Sequence, residues 1–240
     1  MKTKISIFIT VIALLFGATA TFAQGTQAYF KKDGVTIFQS AISDIDSIVF
    51  KQTTTEEDCQ SFDNPQGVVI NGVRWATRNV GEPGTFASSP CDPGMFYQWN
   101  RITAWATTGE VTDWDSTTPT GVTWEKANDP SPAGWRVPTY DEIIKLLDTN
   151  KVDNVWTTQN GINGRKFTDK SSGNSIFLPA AGYRATNGAL VYVGSSVGYW
   201  SNAQYGTDGA YNLYFGKGSA VWNASYRLGG FTIRSVADGN

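Results

Sequence analysis

The stretch Ala133-Gly-Trp-Arg-Val-Pro-Thr-Tyr-Asp-Glu-Ile-Ile-Lys-Leu-Leu147 carries the clearest helix signal in the chain. Thr139 and Glu142 stand at capping-box spacing. In that arrangement the threonine hydroxyl accepts from an amide of the first turn, and the glutamate reaches back to the threonine amide. Ile143, Ile144, Leu146 and Leu147 then make one apolar face. The spacing predicts a helix that begins after Thr139, and helix is scarce elsewhere.

Beyond residue 150 the pattern turns to strands. Gly164-Arg-Lys-Phe-Thr168 and Ser175-Ile-Phe-Leu178 flank Ser171-Ser-Gly-Asn174, a hairpin turn. Residues 190–193, 199–200, 210–215, 220–226 and 231–236 follow, separated by glycine-rich turns. A helix ahead of such a run reads as an α+β domain, strand-heavy in its second half. Upstream, Ala28-Tyr-Phe-Lys-Lys32 and Val35-Thr-Ile-Phe38 flank Asp33-Gly34, a two-residue hairpin signal. Ser47-Ile-Val-Phe50 reads as a further strand and residues 51–58 as a polar linker.

The chain opens Met1-Lys-Thr-Lys4, continues as an apolar run over 5–16 and closes with small residues over 17–23. A basic start, about a dozen apolar residues and a small-residue tail are the parts of a secretion signal, whereas a membrane-spanning helix needs about 20 apolar residues. Thr21 and Ala23 place the cut before Gln24, with Ala20 a second candidate site. The expected organisation is therefore a signal peptide over 1–23, a β-hairpin leader and linker over 24–58, and one main domain over 59–240. Such a chain is exported, to the periplasm, the cell surface or the medium. No transmembrane segment is expected after cleavage.

Of the 19 basic residues, Lys2 and Lys4 lie in the segment to be removed, so the mature chain is more acidic than the net −2 of the whole. That balance argues against nucleic acid, where a basic face supplies most of the affinity. The absence of histidine excludes Ser-His-Asp and Cys-His nucleophiles and histidine-based zinc sites. Cys59 and Cys91 read as a structural disulfide, because thiols of exported chains tend to be oxidised. Asp113-Trp-Asp115 is the most suggestive acidic pair for glycan hydrolysis, but carboxylates one residue apart in a turn more often cap it. Nine tryptophans and ten tyrosines exceed what a core of this size needs. Sugar-binding faces use such rings, flanked by amides and arginine. Trp105, Trp114, Arg184, Trp200, Asn202, Tyr205, Tyr211, Trp222 and Asn223 form the candidate ligand-binding group. Within it Trp105, Trp114, Tyr205 and Tyr211 are the better candidates for an exposed face.

Six ordered boxes carry a family resemblance. Asn71-Gly-Val-Arg-Trp-Ala-Thr-Arg-Asn79 resembles the opening "G-x-x-W-x-x-x-N" box of the Fibrobacter succinogenes major paralogous domain family. Gly94-Met-Phe-Tyr-Gln-Trp99 resembles its "G-x-x-Y-x-W" element, and Ala133-Gly-Trp-Arg-Val-Pro138 its most specific stretch. Phe177-Leu-Pro-Ala-Ala-Gly-Tyr-Arg184, Tyr199-Trp-Ser201 and Phe231-Thr-Ile-Arg234 resemble the later boxes, so the match runs from about residue 66 to 237. The resemblance implies a fold of the C-type-lectin-like and formylglycine-generating-enzyme group: a twisted antiparallel sheet with one or two helices, here behind a short β leader. It also implies secreted or surface-attached bacterial proteins. The segment ending Ile45-Asp-Ser-Ile-Val-Phe50 is similar to one found before such domains in Bacteroidetes surface proteins.

Departures from the family pattern sharpen these expectations. Formylglycine generation depends on reactive cysteines in the C-terminal half, and none follows Cys91. Calcium-held sugar binding lacks its triplets, since Trp222-Asn223 is followed by Ala224 and Glu82-Pro83 by Gly84. The family often has cysteine where this chain has Ser131 and Ser235, and loss of both together implies that they were partners. The resulting expectation is a non-catalytic binding module on or outside the cell, without cofactor or metal, recognising glycans or surface proteins. A structural or adhesive component, or a carboxylate-based glycan hydrolase, is the alternative.

Overall fold

The computed structural model describes residues 58–239 in full and, before them, the backbone of residues 18–21, 27–32 and 35–41. The chain divides into two units, residues 1–54 and 55–240. In the first, β1 (Ala18–Thr21), β2 (Gln27–Lys32) and β3 (Val35–Ala41) pair antiparallel in that order. Lys32 pairs with Val35; the hairpin turn expected at Asp33-Gly34 lies outside the described residues. β1 falls inside the segment read as the signal peptide. The remainder of that segment, the strand expected over 47–50 and residues 51–57 of the expected linker lie outside the described residues.

The second unit is built of four small antiparallel sheets. The first joins β4 (Val68–Ile70) and β5 (Val73–Trp75) to β18 (Val236–Ala237) and β8 (Trp135–Arg136), bringing the two ends of the domain together. A second orders β13 (Leu190–Val191), β12 (Tyr183–Arg184), β17 (Gly230–Phe231), β6 (Phe96–Gln98) and β7 (Ala104–Trp105). The third is the meander β9 (Val152–Gln159), β10 (Ile162–Asp169), β11 (Ser175–Pro179), and the fourth the meander β14 (Ser196–Tyr205), β15 (Gly209–Gly216), β16 (Ala220–Tyr226). Among the described residues the one α-helix is α1, Tyr140–Leu147, with single 3-10 turns at Cys59–Phe62 and Lys126–Asn128.

The expectation of an α+β, C-type-lectin-like fold is therefore corrected. Among the described residues the structure is mostly antiparallel β, with one eight-residue helix. The physical reason lies in residues 58–136, where residues in left-handed backbone at 67, 71, 72, 84, 94, 100, 109, 113, 121 and 134 repeatedly interrupt the chain. Its segments are too short to form helices and pair instead as two- and three-residue strands.

Two cores lie on either side of the central strands. In β6, Phe96 enters the core around Trp75, Leu146, Phe167 and Phe215, while Tyr97 enters the one around Trp99, Val137 and Phe231. Tyr199 and Trp200 divide the same way in β14, because successive residues of a strand point to opposite faces. A third small cluster surrounds the Cys59–Cys91 disulfide with Phe62 and Phe177. The two half-cystines stand 32 positions apart in sequence, with their Cα atoms 5.7 Å apart. Ser131 and Ser235, where the resemblance places cysteines, are hydrogen-bonded to each other, Oγ to Oγ, at 2.8 Å.

α1 starts as its capping box dictates. The Glu142 amide donates to Thr139 Oγ1 at 3.2 Å, and the Thr139 amide donates to Glu142 Oε2 at 2.8 Å. Arg136 grips the same carboxylate with two bonds of 2.9 and 2.7 Å. Ile143 and Leu146 are buried and Leu147 half-buried, but Ile144 faces solvent at 37% exposure. The helix thus presents a second apolar stripe, Tyr140, Ile144 and Leu147 at i, i+4 and i+7, alongside the buried one.

Candidate functional site

The fourth sheet positions the site. Cross-strand pairing sets Leu213 opposite Trp222 and Tyr211 opposite Ala224, so Phe215, Leu213 and Tyr211 share one face with Trp222. The first two sink into the core beneath α1. At Tyr211 and Trp222 the same face meets the first helical residue, Tyr140, and emerges to solvent. Tyr140 and Tyr211 lie with ring centroids 4.3 Å apart and planes 38° apart. Trp222 stands edge-on to both, at 6.0 Å and 82° from Tyr140 and 5.8 Å and 67° from Tyr211. Tyr205, at the end of β14, meets Tyr211 at 5.1 Å and 75°. Four rings thus form an aromatic corner, with Trp222 48% and Tyr205 50% exposed.

The corner opens into a groove of about 530 Å³ between α1 and β16. Ile144, Leu147, Ala220 and Val221 give it apolar walls, and Lys145 and Asp148 stand at its margin. Loss of solvent and the neighbouring Tyr211 and Asp141 push the Tyr140 hydroxyl above its ordinary pKa, so it stays a neutral donor at physiological pH. Isolated exposed apolar residues are ordinary on a protein surface, whereas contiguous ones mark binding sites.

Three members of the sequence-based group, Tyr205, Tyr211 and Trp222, come together here. Trp222 and Asn223 are neighbours in β16 and therefore face opposite sides of the sheet. Asn202 is half-buried, its backbone held by Pro138 and Trp124. Trp105 and Trp114 pair with each other at 4.8 Å and are half-buried; the Trp114 indole donates to the Thr186 carbonyl at 3.0 Å and its ring lies against Gly188. They brace the loop that carries them instead of opening a face.

Two members are interior, which corrects the expectation that they touch ligand. Trp200 is fully buried, stacked on Phe231 at 4.4 Å with its indole donating to the Tyr97 carbonyl. Arg184 is fully buried too, and its guanidinium donates to the carbonyls of Ala106, Thr108, Gly109 and Gly188. Arg234 repeats this pattern inside the core, held by Asn79 Oδ1 and the carbonyls of Ala76 and Phe177. Burial lowers its pKa to about 10, which still leaves it charged.

Tyr140 was missed by sequence reasoning. The signal was present: it opens the stripe that continues through Ile144 and Leu147, which a single buried face would not need. Of the acidic pair, Asp115 is engaged by Arg101 and by the amide and hydroxyl of Thr117, at 2.8 and 2.7 Å. Asp113 sits exposed with left-handed φ of 61°. Among the described residues, no group of three or more acidic or cysteine side chains is placed to hold a metal, and no helix is long and apolar enough to cross a membrane. Comparison with protein-family models, curated proteins and solved structures finds no match for the chain.

Proposed function

We propose that this chain is an exported, non-catalytic binding module that recognises glycans through the corner formed by Tyr140, Tyr205, Tyr211 and Trp222. The observation that carries this reading is a cluster in which Tyr140, Tyr211 and Trp222 contact one another and Tyr205 meets Tyr211, with Trp222 and Tyr205 exposed, beside an apolar groove with one cation and one carboxylate at its edge. Aromatic rings offer flat apolar surface to the C–H faces of a sugar, while phenol, ammonium and carboxylate groups at the margin supply directional partners for its hydroxyls. The six boxes resemble the Fibrobacter succinogenes major paralogous domain family, and the adjacency of Ser131 and Ser235 agrees with the cysteines that resemblance pairs. The signal-like N-terminus supports export to the periplasm, surface or medium.

Contact with a cell-surface protein is the second reading, favoured by β16, an edge strand of its sheet that borders the same groove. A glycan array probed with the exported protein, with calcium and again with EDTA, separates the two. Binding that survives EDTA and weakens about tenfold or more in Trp222→Ala is the expected result, since removal of a stacking ring is worth roughly a factor of ten. No binding to any glycan in either condition sinks the glycan reading and favours a protein partner.

A further inference from the structure

The face of β15 and β16 opposite the aromatic corner borders a groove of about 560 Å³, inside the roughly 300–1,000 Å³ range of small-ligand sites. Its lining brings Tyr183 of β12 together with Tyr214, Asn223 and Ser225 of the meander, and Tyr226 stands beside them 68% exposed. The Tyr183 ring is set before any ligand arrives. It stacks on Tyr192 at 5.5 Å and 30° and meets Phe231 edge-on at 5.2 Å and 66°. The Tyr214 hydroxyl is anchored, donating to Ser196 Oγ at 3.1 Å. Ser225 Oγ accepts from the fully buried Asn212 amide at 3.1 Å, which leaves the Ser225 hydroxyl proton free to donate elsewhere.

No carboxylate or amine lines this groove. Its one cation is Arg184, whose guanidinium is already turned to the carbonyls of Ala106, Thr108, Gly109 and Gly188. The Asn223 amide and the hydroxyls of Tyr183 and Tyr226 have no hydrogen-bond partner among the described residues. Pre-set aromatic walls with neutral donors and acceptors suit a ligand that is itself uncharged, has flat C–H faces and carries many hydroxyls. A charged ligand would lose water here, and the one cation nearby, Arg184, already directs its donors to carbonyls.

We infer that this groove is a second binding site, taking a neutral sugar ring of an oligosaccharide, so that one three-stranded sheet carries a ligand on each face. The ligand class rests on the glycan reading above, whereas the site itself does not share a residue with the aromatic corner.

The test is a fluorine NMR titration of the full chain labelled with fluorotyrosine. The probes are cellohexaose, xylohexaose, mannohexaose and chitohexaose, with hexagalacturonate as the charged comparison. At least one neutral hexasaccharide is expected to shift the Tyr183, Tyr214 and Tyr226 signals, and hexagalacturonate to leave them in place. The double variant Asn223→Ala/Tyr226→Ala is expected to weaken that response about tenfold or more. Both of its side chains are exposed, so an unchanged melting temperature separates lost binding from lost folding. Shifts confined to Tyr140, Tyr205 and Tyr211 leave the corner standing and overturn the groove. Shifts confined to the groove tyrosines uphold it and overturn the corner. Silence with every neutral probe overturns both, and a response to hexagalacturonate alone overturns the neutral assignment.

Discussion

Arg184 illustrates how a residue of binding-site type becomes a piece of scaffold. A guanidinium has donors in a fixed fork, and here they meet four carbonyls contributed by two loops, one of them more than 70 positions away in sequence. The charge stays inside without a carboxylate because carbonyl dipoles replace its hydration. A lysine at this position supplies an ammonium without that geometry, leaving buried carbonyls unpaired. Arg184→Lys is therefore expected to lower stability by about 2–4 kcal/mol, read by chemical denaturation, while binding at the Trp222 corner is unchanged in the protein that remains folded. If Arg184 instead met ligand, affinity would fall and stability would hold.

The elements show which local rules were legible. The capping box at Thr139 and Glu142 forms as read, and so does the turn between β10 and β11, where the Asp169 amide donates to the Asn174 carbonyl at 2.8 Å. Residues 190–193, by contrast, pair over only Leu190–Val191, and β9 was not foreseen at all. Alternation in β16 already implied that Trp222 and Asn223 part company, and grouping them as one site conflicted with reading the segment as a strand. The serine pair yields a prediction at this scale. With hydroxyl oxygens 2.8 Å apart, Ser131→Cys together with Ser235→Cys is expected to close a second disulfide under oxidising conditions, visible as a loss of about 2 Da in the intact mass and as a raised melting temperature. The gain expected is about 2–4 kcal/mol, because the closed loop is long. Two free thiols in the oxidised protein would contradict it.

For the whole molecule, the pH dependence of stability follows from its carboxylates. The Ser171 hydroxyl and the amides of Asn71 and Ser172 hold Asp169 well below the usual carboxylate range. Burial alone would raise Glu142, but Arg136 and the Thr139 donors outweigh it and keep it low, and Arg78 lowers Asp63. Groups whose folded pKa is depressed stabilise fully above their unfolded value, and that contribution disappears as pH falls through the folded one. The melting temperature is expected to be flat from about pH 8 to 5 and to drop below about pH 4. With no histidine in the chain, a transition centred between about pH 6 and 7 would contradict this account. A thermal melt series across pH checks it.

The sequence by itself determined what depends on neighbours along the chain: the helix after Thr139, the hairpin turns, and the absence of any imidazole chemistry. These are set within a few residues, by capping, turn chemistry and composition. Only the tertiary structure decided which aromatic rings stay outside. Trp200 and Trp222 have similar local settings in strands, yet one is stacked under Phe231 and the other stands in solvent. The difference is whether a distant segment covers that face of the sheet. β17 packs over Trp200, whereas α1 begins at Tyr140, which meets Trp222 only edge-on and leaves it half exposed.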